Sequence, residues 1–310
     1  MNWKVKAAIH RACAALPIGK NVVHYSLQRA FGLLGDPQQP LMMLDAAALL
    51  LTDLRERGFD LHGKRVMEVG TGWRVDMPIA FYLCGATSIV TYDIRRHLKP
   101  GLVMSALAAF ARERATIART FQALADPVDV DRRLTTLAGA GTIRDVFQIA
   151  GIEYHAPADA TRTGLPPGSV DLHVSYTVLQ HVPYDTIVAM LREATRVLAP
   201  GGLACHHVDL SDQFARADAS ISRAHFLRYS DAEWARYAGN DFAWHNRLRA
   251  RDYERAYREA GHEIVGWVTH VDERSRREIA AGFPLAELFR GQLPEMLAVD
   301  TVRAISRPAA

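Results

Sequence analysis

Lys64-Arg65-Val66-Met67-Glu68-Val69-Gly70-Thr71-Gly72 is the stretch on which the fold turns. Its short apolar run ends in glycine and reads as a buried strand. A helical pattern begins at Pro78 and runs to Leu83. Ser88-Ile89-Val90-Thr91-Tyr92-Asp93 then reads as a second strand. Strand, helix and strand within roughly 30 residues make a βαβ crossover, which demands a parallel sheet.

Working outward, the region from Gly101 to Ala150 is alanine-rich and helical, too long for a plain crossover. It reads as an inserted helical pair. Strand patterns resume at Ile152–His155, Val170–Tyr176 and Leu203–Asp209. A helix from Tyr184 to Leu198 lies between the last two and is stopped by Pro200-Gly201-Gly202. Arg251–Ala260 is a further helix. His262–Val268 and Val299–Ser306 read as late strands, with helical segments near Arg274–Ala281 and Leu285–Arg290 between them. Such alternation is the signature of a doubly wound α/β sheet. Toward the N-terminus, Pro40–Arg57 reads as a helix stopped by Gly58. Residues 1–35 carry Lys4, Lys6, Arg11, Lys20 and Arg29, with no acid before Asp36. Val5, Ala8, Ile9 and Cys13 recur there at helical spacing. A basic amphipathic helix results, serving either as a solvated accessory element or as a weak contact to a membrane surface.

Composition narrows the function. The chain has 310 residues, 49% hydrophobic and 23% charged, with a net charge of +3. That is ordinary for a globular protein and speaks against a dedicated nucleic-acid binder. Cys13, Cys84 and Cys205 form no CxxC pair, so a reducing, cytoplasmic compartment is expected. No histidine–carboxylate spacing suggests a metal.

Doubly wound folds bind ligands beyond the carboxyl ends of their strands. Glycines at 70 and 72 let a ligand approach the main chain there. A nicotinamide fingerprint would want a third glycine where Val75 stands, and Trp73 and Arg74 crowd the turn a pyrophosphate would use. A ligand without phosphates fits better. Asp93, 21 residues after Gly72, is placed to accept both hydroxyls of a ribose. Asp159, after the third strand, is placed to accept from an adenine amino group.

Glu68-Val-Gly-Thr-Gly72, Asp93, Asp159-Ala160, Ser169-Val-Asp-Leu, Val178-Leu-Gln-His-Val182 and Leu191-Arg-Glu-Ala-Thr-Arg-Val-Leu-Ala-Pro-Gly-Gly202 together resemble the class I S-adenosylmethionine-dependent methyltransferases. The resemblance covers roughly residues 60–210, and 250–306 by pattern. It implies a seven-stranded Rossmann-like sheet in the order 3-2-1-4-5-7-6, with the last strand antiparallel. It also implies S-adenosylmethionine as cofactor. Glu68, Gly70, Thr71, Gly72, Trp73, Asp93, Ile94, Asp159, Ala160, Tyr176 and Thr177 are then the expected cofactor contacts. Trp73 departs from the small residue common after the second glycine, and Gln180 stands where many relatives carry glutamate. The expected organisation is an N-terminal helical extension over 1–60 and a methyltransferase domain over 61–310. That domain carries an insertion near 98–150 and a substrate cap near 210–249.

Candidate bases sit at strand ends. His181 follows the fourth strand. His206 and His207 lie on opposite faces of the fifth, and His207 shares its face with Asp209, which could orient it and raise its pKa. Catalysis is assigned to His207, Asp209 and His181. The aromatic-rich segment 210–249 supplies Tyr229, Asn246 and Arg247 as acceptor contacts, Arg247 for a carboxylate or phosphate. The leading expectation is methyl transfer to a small organic acceptor, O-directed ahead of N-directed. The alternative is a non-catalytic relative that binds cofactor or partner at a membrane or in a biosynthetic assembly. The acceptor and the oligomeric state are not legible.

Overall fold

A computed structural model describes residues 1–309. Three helices come first: α1 (Trp3–Ala14), α2 (Lys20–Phe31) and α3 (Gln39–Arg55). Then β1 (Arg65–Val69), α4 (Asp76–Leu83) and β2 (Ser88–Tyr92) form the crossover. The next stretch holds four helices rather than a pair: α5 (Pro100–Arg112), α6 (Arg114–Phe121), α7 (Pro127–Ala138) and α8 (Ile143–Ala150). β3 (Ile152–His155), β4 (Val170–Tyr176), α9 (Tyr184–Val197) and β5 (Leu198–Asp209) follow. The remainder is α10 (Asp231–Ala238), α11 (Ala250–Glu259), β6 (His262–Val271), α12 (Glu273–Ala280), α13 (Pro294–Leu297) and β7 (Val299–Pro308). The segment read as helical near 285–290 is only a single tight turn, Glu287–Phe289.

The strands form one sheet in the order β3-β2-β1-β4-β5-β7-β6. Pairings from β3 through β5 are parallel, and β7 runs antiparallel to both neighbours. Because a strand sends alternate side chains to opposite faces, β1 serves two cores. Val66 packs with α3, α4, α5 and α7 on one side. Met67 and Val69 pack with α9 and α11 on the other. α3 lies in the first of these cores through Leu44, Leu50 and Leu54, so residue 60 separates no two cores.

A third cluster joins the N-terminus to the 210–249 segment. Trp3 and Ala7 of α1 pack with Phe214, Phe226, Trp234 and Phe289. The single basic helix expected over 1–35 is two helices, and α1 does not bury the face expected for it. Its inward side is Trp3, Ala7 and Cys13, while Val5 and Ile9 face outward. Arg249, fully buried, fastens this layer to the sheet. It donates to the carbonyls of Leu210 (2.8 Å), Leu297 (2.8 Å) and Val299.

Across β4 and β5 part of the core is polar. Ser175 Oγ meets His206 Nδ1 at 2.7 Å, and His206 Nε2 meets His173 Nδ1 at 3.3 Å. All three residues are buried. Burial pushes His173 down to about 3 and His206 well below the ordinary imidazole value.

Two outcomes follow from these contacts. The unfolded chain protonates both histidines below about 6.5, whereas the fold keeps them neutral, so the fold loses stability as pH drops from about 6.5 toward 3 and gains nothing above that window. Glu68 and Asp76, raised by burial to about 7 and about 6, work in the opposite sense. Thermal melts of wild type and His173→Asn at pH 7.5 and 5.5 isolate the term: the variant is to show the smaller acid-side drop. Separately, Arg249→Leu strands three buried carbonyls and is to cost about 3 kcal/mol or more in urea unfolding.

Candidate functional site

The carboxyl ends of β1, β2 and β4 meet around the glycine loop. Gly70 takes a left-handed φ of 91° and donates to the Tyr92 carbonyl at 2.7 Å. A Cβ at Gly70 would run into the Val178 side chain. Gly72, also left-handed, donates its N–H to Asp93 Oδ2 at 2.8 Å, and Arg95 N–H donates to Oδ1 at 2.9 Å. The Asp93 carboxylate is thereby fixed at the rim, with lone pairs to spare on both oxygens. Below the loop, Thr91 donates to Glu68 Oε2 at 2.5 Å and pairs with Thr71 at 2.6 Å. Burial pushes Glu68 up to about 7.

Three hollows open from this loop. The largest, about 780 Å³, runs along Gly70, Gly72, Trp73, Asp93 and Ile94. Its opposite wall is His24, His97, His181, Phe242 and Trp244. A second, about 220 Å³, is largely apolar and includes Val69, Ala158, Asp159, Ala160 and Met190. Asp159 Oδ1 there is taken by the N–H and hydroxyl of Thr161, both at 2.8 Å. The third, about 210 Å³, reaches from Glu68, Thr71 and Gly72 to Arg74 and Met43. Tyr176 and Thr177 border the first and third hollows, and Thr177 holds a left-handed φ of 54°. All eleven residues expected at the cofactor thus lie on one of these hollows.

The expected catalytic and acceptor residues scatter more. His207 and Asp209 line a separate chamber of about 280 Å³ with Arg216, Arg223 and Thr301, which also touches Tyr176 and Thr177. No hydrogen bond joins His207 and Asp209 among the described residues. Asp209 instead accepts from Ser211 N–H (2.9 Å), Ser211 Oγ (2.5 Å), Gln213 and Arg216. The expected rise of the His207 pKa is reversed: burial outweighs the Asp209 charge and lowers it to about 4. Its ring stacks on Tyr176 with centroids 4.6 Å apart. His206 is in the polar core and reaches no hollow.

His181 borders both the largest hollow and its apolar neighbour. Its Nδ1 lies 3.0 Å from the Trp244 carbonyl. A carbonyl only accepts, so the proton sits on Nδ1 and Nε2 carries the lone pair. Its pKa is lowered by burial, against a smaller upward push from that hydrogen bond.

The acceptor contacts expected from sequence, Tyr229, Asn246 and Arg247, line none of these hollows. Arg247 donates to the carbonyls of Phe226 (3.0 Å) and Tyr229 and pairs with Asp231, which leaves no fork for an anion. Asn246 spends its amide on the Leu179 and Val182 carbonyls at 2.8 and 2.9 Å. Tyr229 stacks on Trp234 with centroids 5.7 Å apart, inside the third cluster. His24 lines the largest hollow without having been expected there. His24 comes from α2 and stacks on Phe242 at 4.1 Å, and Tyr25 stacks on Trp73 at 5.2 Å. The sequence signal for them is the amphipathic character of residues 1–35, which does not say which side is covered. Among the described residues no cluster of ligands could hold a metal ion, and no helix is long and apolar enough to cross a membrane.

A family model described as a methyltransferase domain matches residues 117–206, from α6 into β5. The glycine loop lies outside that match. A comparison with curated protein sequences found none that matches. Similar solved structures include an S-adenosylmethionine-dependent methyltransferase from Mesorhizobium loti (19% identity, 82% of this chain and 95% of that one, TM-score 0.44). Others are SAM-dependent methyltransferases from Methanosarcina mazei (13%, 83% and 98%, 0.44) and Leishmania major (12%, 98% and 83%, 0.43). The chain therefore carries a methyltransferase domain, on a sheet whose strand order is the one the sequence resemblance implies.

Proposed function

We propose that this methyltransferase acts on a small organic acceptor, at oxygen ahead of nitrogen, in the hollow between the glycine loop and the rings of His24, His97, His181, Phe242 and Trp244. The observation that carries the reading is that hollow: at about 780 Å³ it lies in the upper part of the usual range for small-molecule sites. Two smaller hollows extend from the same loop, so there is room for an acceptor beside the cofactor.

The residues present suit S-adenosylmethionine. Asp93 would hold the ribose hydroxyls with its spare lone pairs. The apolar hollow at Val69, Ala160 and Met190 would take the adenine, with Asp159 at its edge and Ile94 over it. Glu68, Thr71 and Gly72 would face the methionyl part. Bound there, the cofactor supplies an electrophilic sulfonium methyl. The chain's own part is to orient the acceptor in line and to exclude water, to which the stacked rings of Tyr25 on Trp73 and of His24 on Phe242 would contribute.

His181 Nε2 is our candidate to take the proton of an acceptor hydroxyl. It has a lone pair fixed by the Trp244 contact, and it makes no hydrogen bond to protein among the described residues. His207 is relegated to the wall of the neighbouring chamber. An imidazole with a lowered pKa stays neutral through mildly acid pH. The rate is then expected to hold level from neutrality to below pH 6.5 and to fall only at lower pH.

Turnover is tested by S-adenosylhomocysteine release with panels of small hydroxylated and amine acceptors. Cofactor binding without turnover across both panels would overturn the enzymatic reading of this hollow, and turnover of amines alone would overturn the preference for oxygen. With an active hydroxyl acceptor, His181→Asn is to lower kcat by about 10²-fold. Calorimetric titration checks the cofactor assignments. Asp93→Ala removes two hydrogen bonds to a charge, about 1.5–3 kcal/mol each, and is to weaken S-adenosylhomocysteine at least tenfold. Gly70→Ala, strained at positive φ and pressed on Val178, is to weaken it as well.

A further inference from the structure

We propose that α1, α2 and the turn between them form a docking surface for an anionic lipid bilayer, whatever acceptor the enzyme methylates. A helix docked on a protein normally has one apolar face, which it buries. α1 has two. Trp3 and Ala7 are buried against the 210–249 layer, and Cys13 is buried as well. Val5, Ile9 and Ala12, at i, i+4 and i+7, line the opposite side and are exposed. The turn adds Leu16 and Ile18, and α2 adds Val22 and Val23. Ile18 is 88% exposed, Val22 68% and Val5 52%. These are large side chains, and they concentrate in one short segment rather than being scattered singly.

Charge identifies the occupant. Lys4, Arg11 and Arg29 are exposed on the same two helices, Arg11 with one N–H on the Arg236 carbonyl at 3.1 Å, and residues 1–35 contain no acid. Two acids that meet these helices are already engaged. Asp218 accepts the Trp3 N–H at 2.8 Å, and Asp241 is paired with Lys20 at 2.6 Å. Cations flanking an apolar ridge complement anionic headgroups over an acyl layer. α2 turns His24 toward the hollow while its other side carries Val22, so a docked bilayer would lie close to the site's entrance.

Co-sedimentation of the full chain with phosphatidylcholine vesicles, with and without phosphatidylglycerol, tests this. Binding is expected only to the anionic vesicles, with release by added salt. Ile18→Asp with Val22→Asp is to abolish it. Lys4→Glu with Arg11→Glu is to weaken it about tenfold or more, since each basic group near an anionic surface is worth about a factor of five. A thermal shift with S-adenosylhomocysteine that matches wild type shows that each variant is folded. Three results would overturn the proposal: no pelleting with either vesicle, equal pelleting with both, or a wild-type dimer that Ile18→Asp with Val22→Asp makes monomeric. The last would assign the crest to a second copy of the chain.

Discussion

The Asp93 carboxylate, held between two backbone N–H groups, is the constraint from which the site is built. It fastens the glycine loop after β1 to the end of β2. That bond is possible only because Gly70 and Gly72 adopt left-handed backbone, and because Gly70 has no Cβ to strike Val178. Glu68, Thr71 and Thr91 brace the loop from beneath in a water-poor setting. Strand order, loop shape and carboxylate placement are therefore one arrangement. A parallel sheet puts three strand ends side by side, and the loop is where their main chains leave room for a ligand.

Around this frame the protein separates apolar from polar recognition. The hollow beside Asp159 is lined by the aliphatic side chains of Val69, Val178, Val182 and Met190, whereas the chamber at His207 is lined by charges of both signs. Arg216 answers Asp209, and Arg223 answers Asp300. Balanced in this way, the chamber presents polarity without a strong net field, and its imidazole stays uncharged.

Much of the sheet was legible because its signals are local. β3 and β4 begin and end where alternation and turn residues place them, and the order of strands follows from the family resemblance. The loop and its acids were legible for the same reason, lying at fixed offsets from strands. What the residues could not disclose was long-range. Arg247 and Asn246 have the chemistry of ligand contacts, yet carbonyls from other segments consume their donors. His24 and Tyr25 belong to a helix whose spacing says only that it is amphipathic. Which side it buries depends on Phe242 and Trp73, far away in sequence. His207 and Asp209 do share a face, but alternation carries no information about the Ser211 and Arg216 donors that claim the carboxylate.

The cover of the site is fastened in two unlike ways. Arg249 grips three carbonyls deep inside, out of reach of dissolved ions. At the entrance, Lys20 of α2 and Arg95 after β2 converge on the half-exposed Asp241, at 2.6 and 3.8 Å. Ions in solution weaken such a surface latch and leave the interior bolt untouched. Traffic through the doorway and integrity of the frame are thus governed by separate variables, and ionic strength can tune the first while sparing the second.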